Sequence, residues 1–190
     1  MPRKREKTKK RHSLKITNTK DISKIFLRYI ILILISIPNL WIFYKVFTPL
    51  TAYPVYWLLS ISYDTSIIGT SIILINRSIP IELINACIAG SAYYLLTILN
   101  LSIPKINIKK RLIMLLSSFA VFLIVNILRI YLLSNMAITG SNLFDITHIL
   151  FWYSVSLILI VLIWFSEVKI FKIKDIPFYS DIKFLYKHTK

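Results

Sequence analysis

One cysteine, Cys87, occurs in the 190 residues. A single thiol excludes an intrachain disulfide framework and a Cys-rich metal site. It leaves three roles: inert packing, an intermolecular bridge or a nucleophile. Glycine is nearly as scarce, with 3 residues, and no Walker-type or dinucleotide-binding motif is present, which argues against a Gly-rich phosphate cradle. Two of the 3 histidines, His12 and His188, lie in the tails, so no metal and no organic cofactor is indicated. Acidic residues are also few, 8 against 24 Lys and Arg, giving a formal net charge of +16.

What the chain has in abundance is apolar side chains, 56% of residues. That is too many for an ordinary soluble domain and fits a polytopic membrane protein. The positive charge is unevenly placed. It crowds residues 1–24, the stretch from Lys105 to Arg111, and the segment after Lys169. All three clusters fall on one side of a four-span arrangement, as the positive-inside rule requires, and would favour anionic lipid there. The basic tails therefore need no nucleic acid to explain them.

The expected fold class is an all-α polytopic membrane protein, a bundle of four transmembrane helices over residues 25–47, 83–103, 112–133 and 146–165. An outer re-entrant or interfacial segment joins the first and second spans, with extended backbone at residues 67–75 and a turn at Gly69. Residues 1–24 read as a disordered basic cytoplasmic tail, 25–166 as a transmembrane catalytic domain, and 167–190 as a basic cytoplasmic or interfacial tail, partly amphipathic. The apolar stretch after residue 24 is too long for a cleavable signal peptide. Pro38 is expected to kink the first span and Pro104 to end the second. Arg28 and Lys45 snorkel near the ends of the first. Asn76-Arg77-Ser78 matches a short, weak glycosylation-acceptor pattern. The localisation expected is the plasma membrane, with both termini cytoplasmic.

Three residues that are costly in a bilayer or chemically reactive fall on successive spans. Cys87 lies 18 residues before Lys105, Arg129 lies 18 after Arg111, and His148 lies 19 before Glu167. At 1.5 Å per residue each separation is about 27–28 Å, close to the hydrocarbon thickness. Thiol, guanidinium and imidazole are therefore expected at one depth near the outer face. A cationic neighbour and a helix N-terminus would each favour the thiolate. In that arrangement Cys87 attacks a carbonyl, His148 manages protons and Arg129 stabilises the oxyanion. Asn126, three residues before Arg129 on one helix face, Asp145, three before His148, and Asn85 are supporting residues. The competing reading is a non-catalytic membrane scaffold or small transporter subunit, with Cys87 as packing and Arg129 paired to Glu82 or Asp145. A cysteine-dependent acyl or lipid transferase would share the same site.

The segments Asn85-Ala86-Cys87-Ile88-Ala89-Gly90 and Asn126-Ile127-Leu128-Arg129-Ile130, followed by His148 at the head of the last span, resemble the archaeosortase/exosortase family of membrane-embedded cysteine transpeptidases. The resemblance covers roughly residues 56–165. It implies Cys87 as nucleophile, Arg129 as essential basic residue and His148 as third member. It also implies partners: membrane-tethered proteins with a C-terminal sorting signal, which would be cleaved and transferred to a cell-surface anchor, with a lipid as one acceptor class. Many relatives place Gly two residues after the Cys, where this chain has Ala89 with Gly90 following.

Overall fold

The computed structural model describes residues 40–103, 106–151 and 155–173, with residue 23, residues 26–27 and residues 29–34 before them. Most of the 1–24 tail, Arg28, Pro38, Pro104, Lys105 and residues 174–190, and the expectations placed on them, lie outside the described residues.

Helix α1 runs Trp41–Ser60. Leu40, in the left-handed region at φ 59°, sets its start. A three-stranded antiparallel sheet comes after it, β1 Thr65–Ile68, β2 Ile72–Ile75 and β3 Ile79–Glu82, paired in chain order. Its strands are rich in β-branched residues, which suit a pleated, half-buried surface. Gly69 turns the first hairpin at φ 67°, and Asn76 and Arg77, both at positive φ, turn the second. The glycosylation-like triplet is thus a hairpin turn, a position that favours Asn and Gly.

The helical core comes next: α2 Asn85–Ile88, α3 Gly90–Leu101, α4 Ile108–Ile138, α5 Phe144–Leu150 and α6 Ser156–Ile170. α4 is the axis. At 31 residues it packs against α1, α3 and α6. An aromatic knot joins three of these helices. Phe47 stacks on Tyr93 with ring centroids 3.5 Å apart, and Phe119 and Phe122 meet the Tyr93 ring edge-on. Such pairs add about 0.5–1.5 kcal/mol each beyond the area they bury. At the opposite end of the trio from Cys87, Glu167 is 5% exposed. It accepts hydrogen bonds from Ser117 Oγ at 2.8 Å and Asn100 Nδ2 at 3.1 Å. The carboxylate expected at the head of the cytoplasmic tail is instead a buried junction of α3, α4 and α6.

The four-span all-α bundle is not what forms. The fold is mixed, helical with a three-stranded sheet, and among the described residues α4 alone is long and apolar enough to cross a membrane. The reasons are local. The left-handed Leu40 breaks the first apolar run, and α1 then continues through Pro49 and Pro54 to Ser60, across residues expected to be loop. The second run breaks at Ala89, leaving α3 only 12 residues. The third is longer than expected. Of the residues between the first and second expected spans, 48–60 continue α1 and 65–82 form the sheet, so the segment expected to be extended or re-entrant is extended, with Gly69 at its first turn.

Candidate active site

Cys87 is carried by α2, a single turn between the sheet and α3. Its N–H donates to Ile84 O at 2.8 Å, and the turn closes when Ala89 N–H donates to Asn85 O at 3.0 Å. Ala89 then takes φ 58°, ψ 46°. This reverses the chain and lets Gly90 start α3 against Tyr44, whose ring lies 2.6 Å from where a Gly90 Cβ would stand. A left-handed alanine costs roughly 1–2 kcal/mol relative to glycine's freedom there. It is the position at which many members of the resembled family carry glycine. The kink holds the Cys87 backbone against α4.

Two α4 side chains meet that backbone. Asn126 Nδ2 donates to Cys87 O at 3.0 Å, and Arg129 donates to the same oxygen through one guanidinium nitrogen at 3.4 Å. The other terminal nitrogen of Arg129 donates to Ser156 Oγ at 2.8 Å, and Ser156 Oγ in turn donates to Phe151 O at 2.6 Å. Arg129 is thereby held between α2 and α6. Its Nε and the Asn126 Oδ1 are buried without a hydrogen-bond partner. Among the described residues no carboxylate forms an ion pair with Arg129, so the pairing to Glu82 or Asp145 expected of a scaffold does not form.

A small open cleft is lined by Ala86, Cys87, Arg129, Leu133, His148 and Phe151. Residues far apart in sequence, on α2, α4 and α5, therefore share one concavity. The His148 ring lies parallel to Phe144, centroids 5.5 Å apart. Adjacent to the cleft and sharing Arg129 and Phe151 with it is a larger apolar groove between α4 and α6.

The electrostatics differ from the sequence expectation in two respects. Burial pushes the Cys87 thiol above its ordinary range, and the Arg129 guanidinium and the hydrogen-bonded turn at Ile84 pull it back toward ionisation less strongly. The helix dipole invoked from sequence is also weak here, because α2 has one turn and not a full span behind it.

The supporting residues separate. Asn126, 2% exposed, buttresses the Cys87 carbonyl. Asn85 is exposed and closes its turn through its backbone oxygen alone. Asp145 is exposed in the first turn of α5 and lies outside the cleft lining. Ser156 is the residue that sequence reasoning missed. A serine in the run Ser156-Leu157-Ile158-Leu159-Ile160 carries a faint signal, as a hydroxyl in an apolar helix that meets the Arg129 guanidinium.

Comparison with protein-family models, with curated proteins and with solved structures finds no match.

Proposed function

We propose that this protein is a membrane cysteine peptidase or transpeptidase, similar to the archaeosortase/exosortase family, that cleaves the C-terminal sorting signal of tethered surface proteins. The observation that carries the reading is the shared cleft of Cys87, Arg129 and His148. Placement in the membrane is supported by α4 and by the apolar faces that α1, α4 and α6 turn outward, among them Trp57, Leu116, Ile124, Leu128, Leu162 and Phe165. Exposed apolar surface on that scale marks contact with another apolar phase.

In this reading the buried thiol is a resting acid. Substrate entry brings the scissile carbonyl to Sγ. The thiol proton passes to the His148 imidazole as the S–C bond forms, and the carbonyl oxygen takes the negative charge. Arg129, preorganised by Ser156, stabilises that oxyanion in a water-poor cleft, where a fixed charge is worth more than in water. Collapse breaks the C–N bond. The imidazolium protonates the leaving amine, and a thioester remains on Cys87. An incoming amine, hydroxyl or water, deprotonated by His148, then releases the acyl group.

The test is co-expression with candidate tethered surface proteins and mass spectrometry of their C-termini. Wild type should yield shortened termini. Cys87→Ala should yield none, and His148→Ala and Arg129→Gln should lower processing by about 10²-fold or more, at unchanged membrane abundance. Equal products from wild type and Cys87→Ala would remove the peptidase reading. The scaffold reading draws on the hydrogen bonds that Arg129 makes to Ser156 and Cys87 O, and it expects Cys87→Ser to be silent.

A further inference from the structure

The sheet ends two residues before the cysteine-bearing turn, and one of its edges is open. β2 and β3 pair with Ile72 opposite Glu82 and Ile73 opposite Ile81. Leu83 N–H donates to Ser71 O at 2.8 Å, so residues 79, 81 and 83 bond to β2. By the alternation of an antiparallel ladder, Pro80 and Glu82 direct their backbone groups away from β2. The outward groups are the Pro80 C=O, the Glu82 N–H and the Glu82 C=O. Among the described residues none of them has a partner. Pro80 occupies an outward position, where a missing N–H costs the ladder nothing. Ile79, Pro80 and Glu82 are exposed; β1, at the other edge, lies against α1 with Ser66 and Ile68 exposed, and only β3 leads directly into the cysteine-bearing turn. Tyr63 Oη donates to Asn135 Oδ1 at 3.0 Å and ties the entry to the sheet to the same end of α4 that carries Arg129.

An unpaired acceptor–donor–acceptor row matches the spacing of groups along an extended backbone, as in strand addition to an open sheet edge. The row is also continuous with the candidate site. From Glu82 the chain stays extended through Ile84, at φ −71° and ψ 165°, and then makes one turn to Cys87. That path spans at most about 11 Å, or three residues of extended peptide. The exposed Glu82 carboxylate sits at the end nearer the thiol, in a chain with 8 acidic residues, and favours a cationic side chain beside it.

We propose that the open edge of β3 receives the substrate as a fourth strand. An extended peptide segment pairs with Pro80 and Glu82 and carries its scissile bond on to Cys87. The inference rests on the peptidase reading, so its test is chosen to fail separately from it. Glu82→Pro removes the outward N–H but no bond to β2, and Glu82→Gln removes only the charge. Processing of a co-expressed tethered protein should fall about tenfold or more in Glu82→Pro. In Glu82→Gln it should fall less than about fivefold. Alkylation of Cys87 by iodoacetamide should stay within about twofold of wild type in both, since a small reagent needs no strand pairing. Wild-type processing by Glu82→Pro, with Cys87→Ala inactive, would overturn the edge assignment and leave the peptidase reading standing. If Glu82→Pro also loses alkylation, the readout is photocrosslinking in the Cys87→Ala background. p-Benzoylphenylalanine in place of Ile79 should capture the tethered protein, and in place of Ile68 on β1 it should not. No adduct at position 79 would overturn the inference. Processing by Cys87→Ala at the wild-type rate would remove the peptidase reading and this inference together.

Discussion

At Cys87 two opposing effects act on one sulfur atom. Burial favours the neutral thiol, and the Arg129 guanidinium favours the thiolate, with burial the stronger. The sign is direct. A raised thiol ionises only at higher pH, so alkylation by iodoacetamide should rise with pH along a curve displaced to the alkaline side of free cysteine. Arg129→Gln removes an opposing charge and should displace it further, slowing alkylation at a fixed pH near 8. A faster rate in Arg129→Gln would mean that the guanidinium shields the sulfur more than it polarises it. Asn126 acts on the same turn through its bond to Cys87 O.

Among the elements, the reversal between α2 and α3 decides where the thiol stands. Ala89 is held at φ 58° and Gly90 lies against the Tyr44 ring. The two neighbours should respond oppositely to substitution. Ala89→Gly relieves a left-handed alanine and should stabilise the protein by about 1 kcal/mol. Gly90→Ala drives a methyl into a stiff ring and should destabilise it by about 1–3 kcal/mol. Thermal unfolding in one detergent checks both, and the same sign for both would contradict the backbone described here. α4 works at the same scale as a rigid bar. One end carries Ser117 against Glu167, and the other carries Asn126 and Arg129 against α2 and α6. The Glu167 junction closes the end of the trio away from the thiol, so α6, and with it Ser156, has a fixed register on α4.

For the molecule as a whole, the outward apolar faces predict that the protein stays in the membrane pellet after alkaline carbonate extraction, and recovery in the supernatant would contradict membrane embedding. The chemistry-bearing residues were legible in the sequence because each is an exception: one thiol, one guanidinium deep in an apolar run, one histidine outside the tails. Their meeting in one cleft comes from apolar runs folding back on each other. The architecture was less legible. Breaks at Leu40 and Ala89 involve residues with no turn propensity, forced left-handed by the packing of the helix that each one precedes, so hydropathy reads straight through them. Residues 67–75 read as extended, but strand pairing with Ile79–Glu82 depends on register, which composition does not encode. Ser156 in an apolar run carries little signal, and Glu167 beside a basic tail reads as a cytoplasm-side charge until the helices meet around it.

Whether Cys87 is the nucleophile is decided by the mass of its peptide, taken from protein quenched in acid during turnover of a tethered substrate. An acyl group should be found on that peptide, joined as a thioester, released by hydroxylamine and missing in Cys87→Ala. Cleavage of the substrate with no adduct at Cys87, persisting in Cys87→Ala, would contradict covalent catalysis by this thiol.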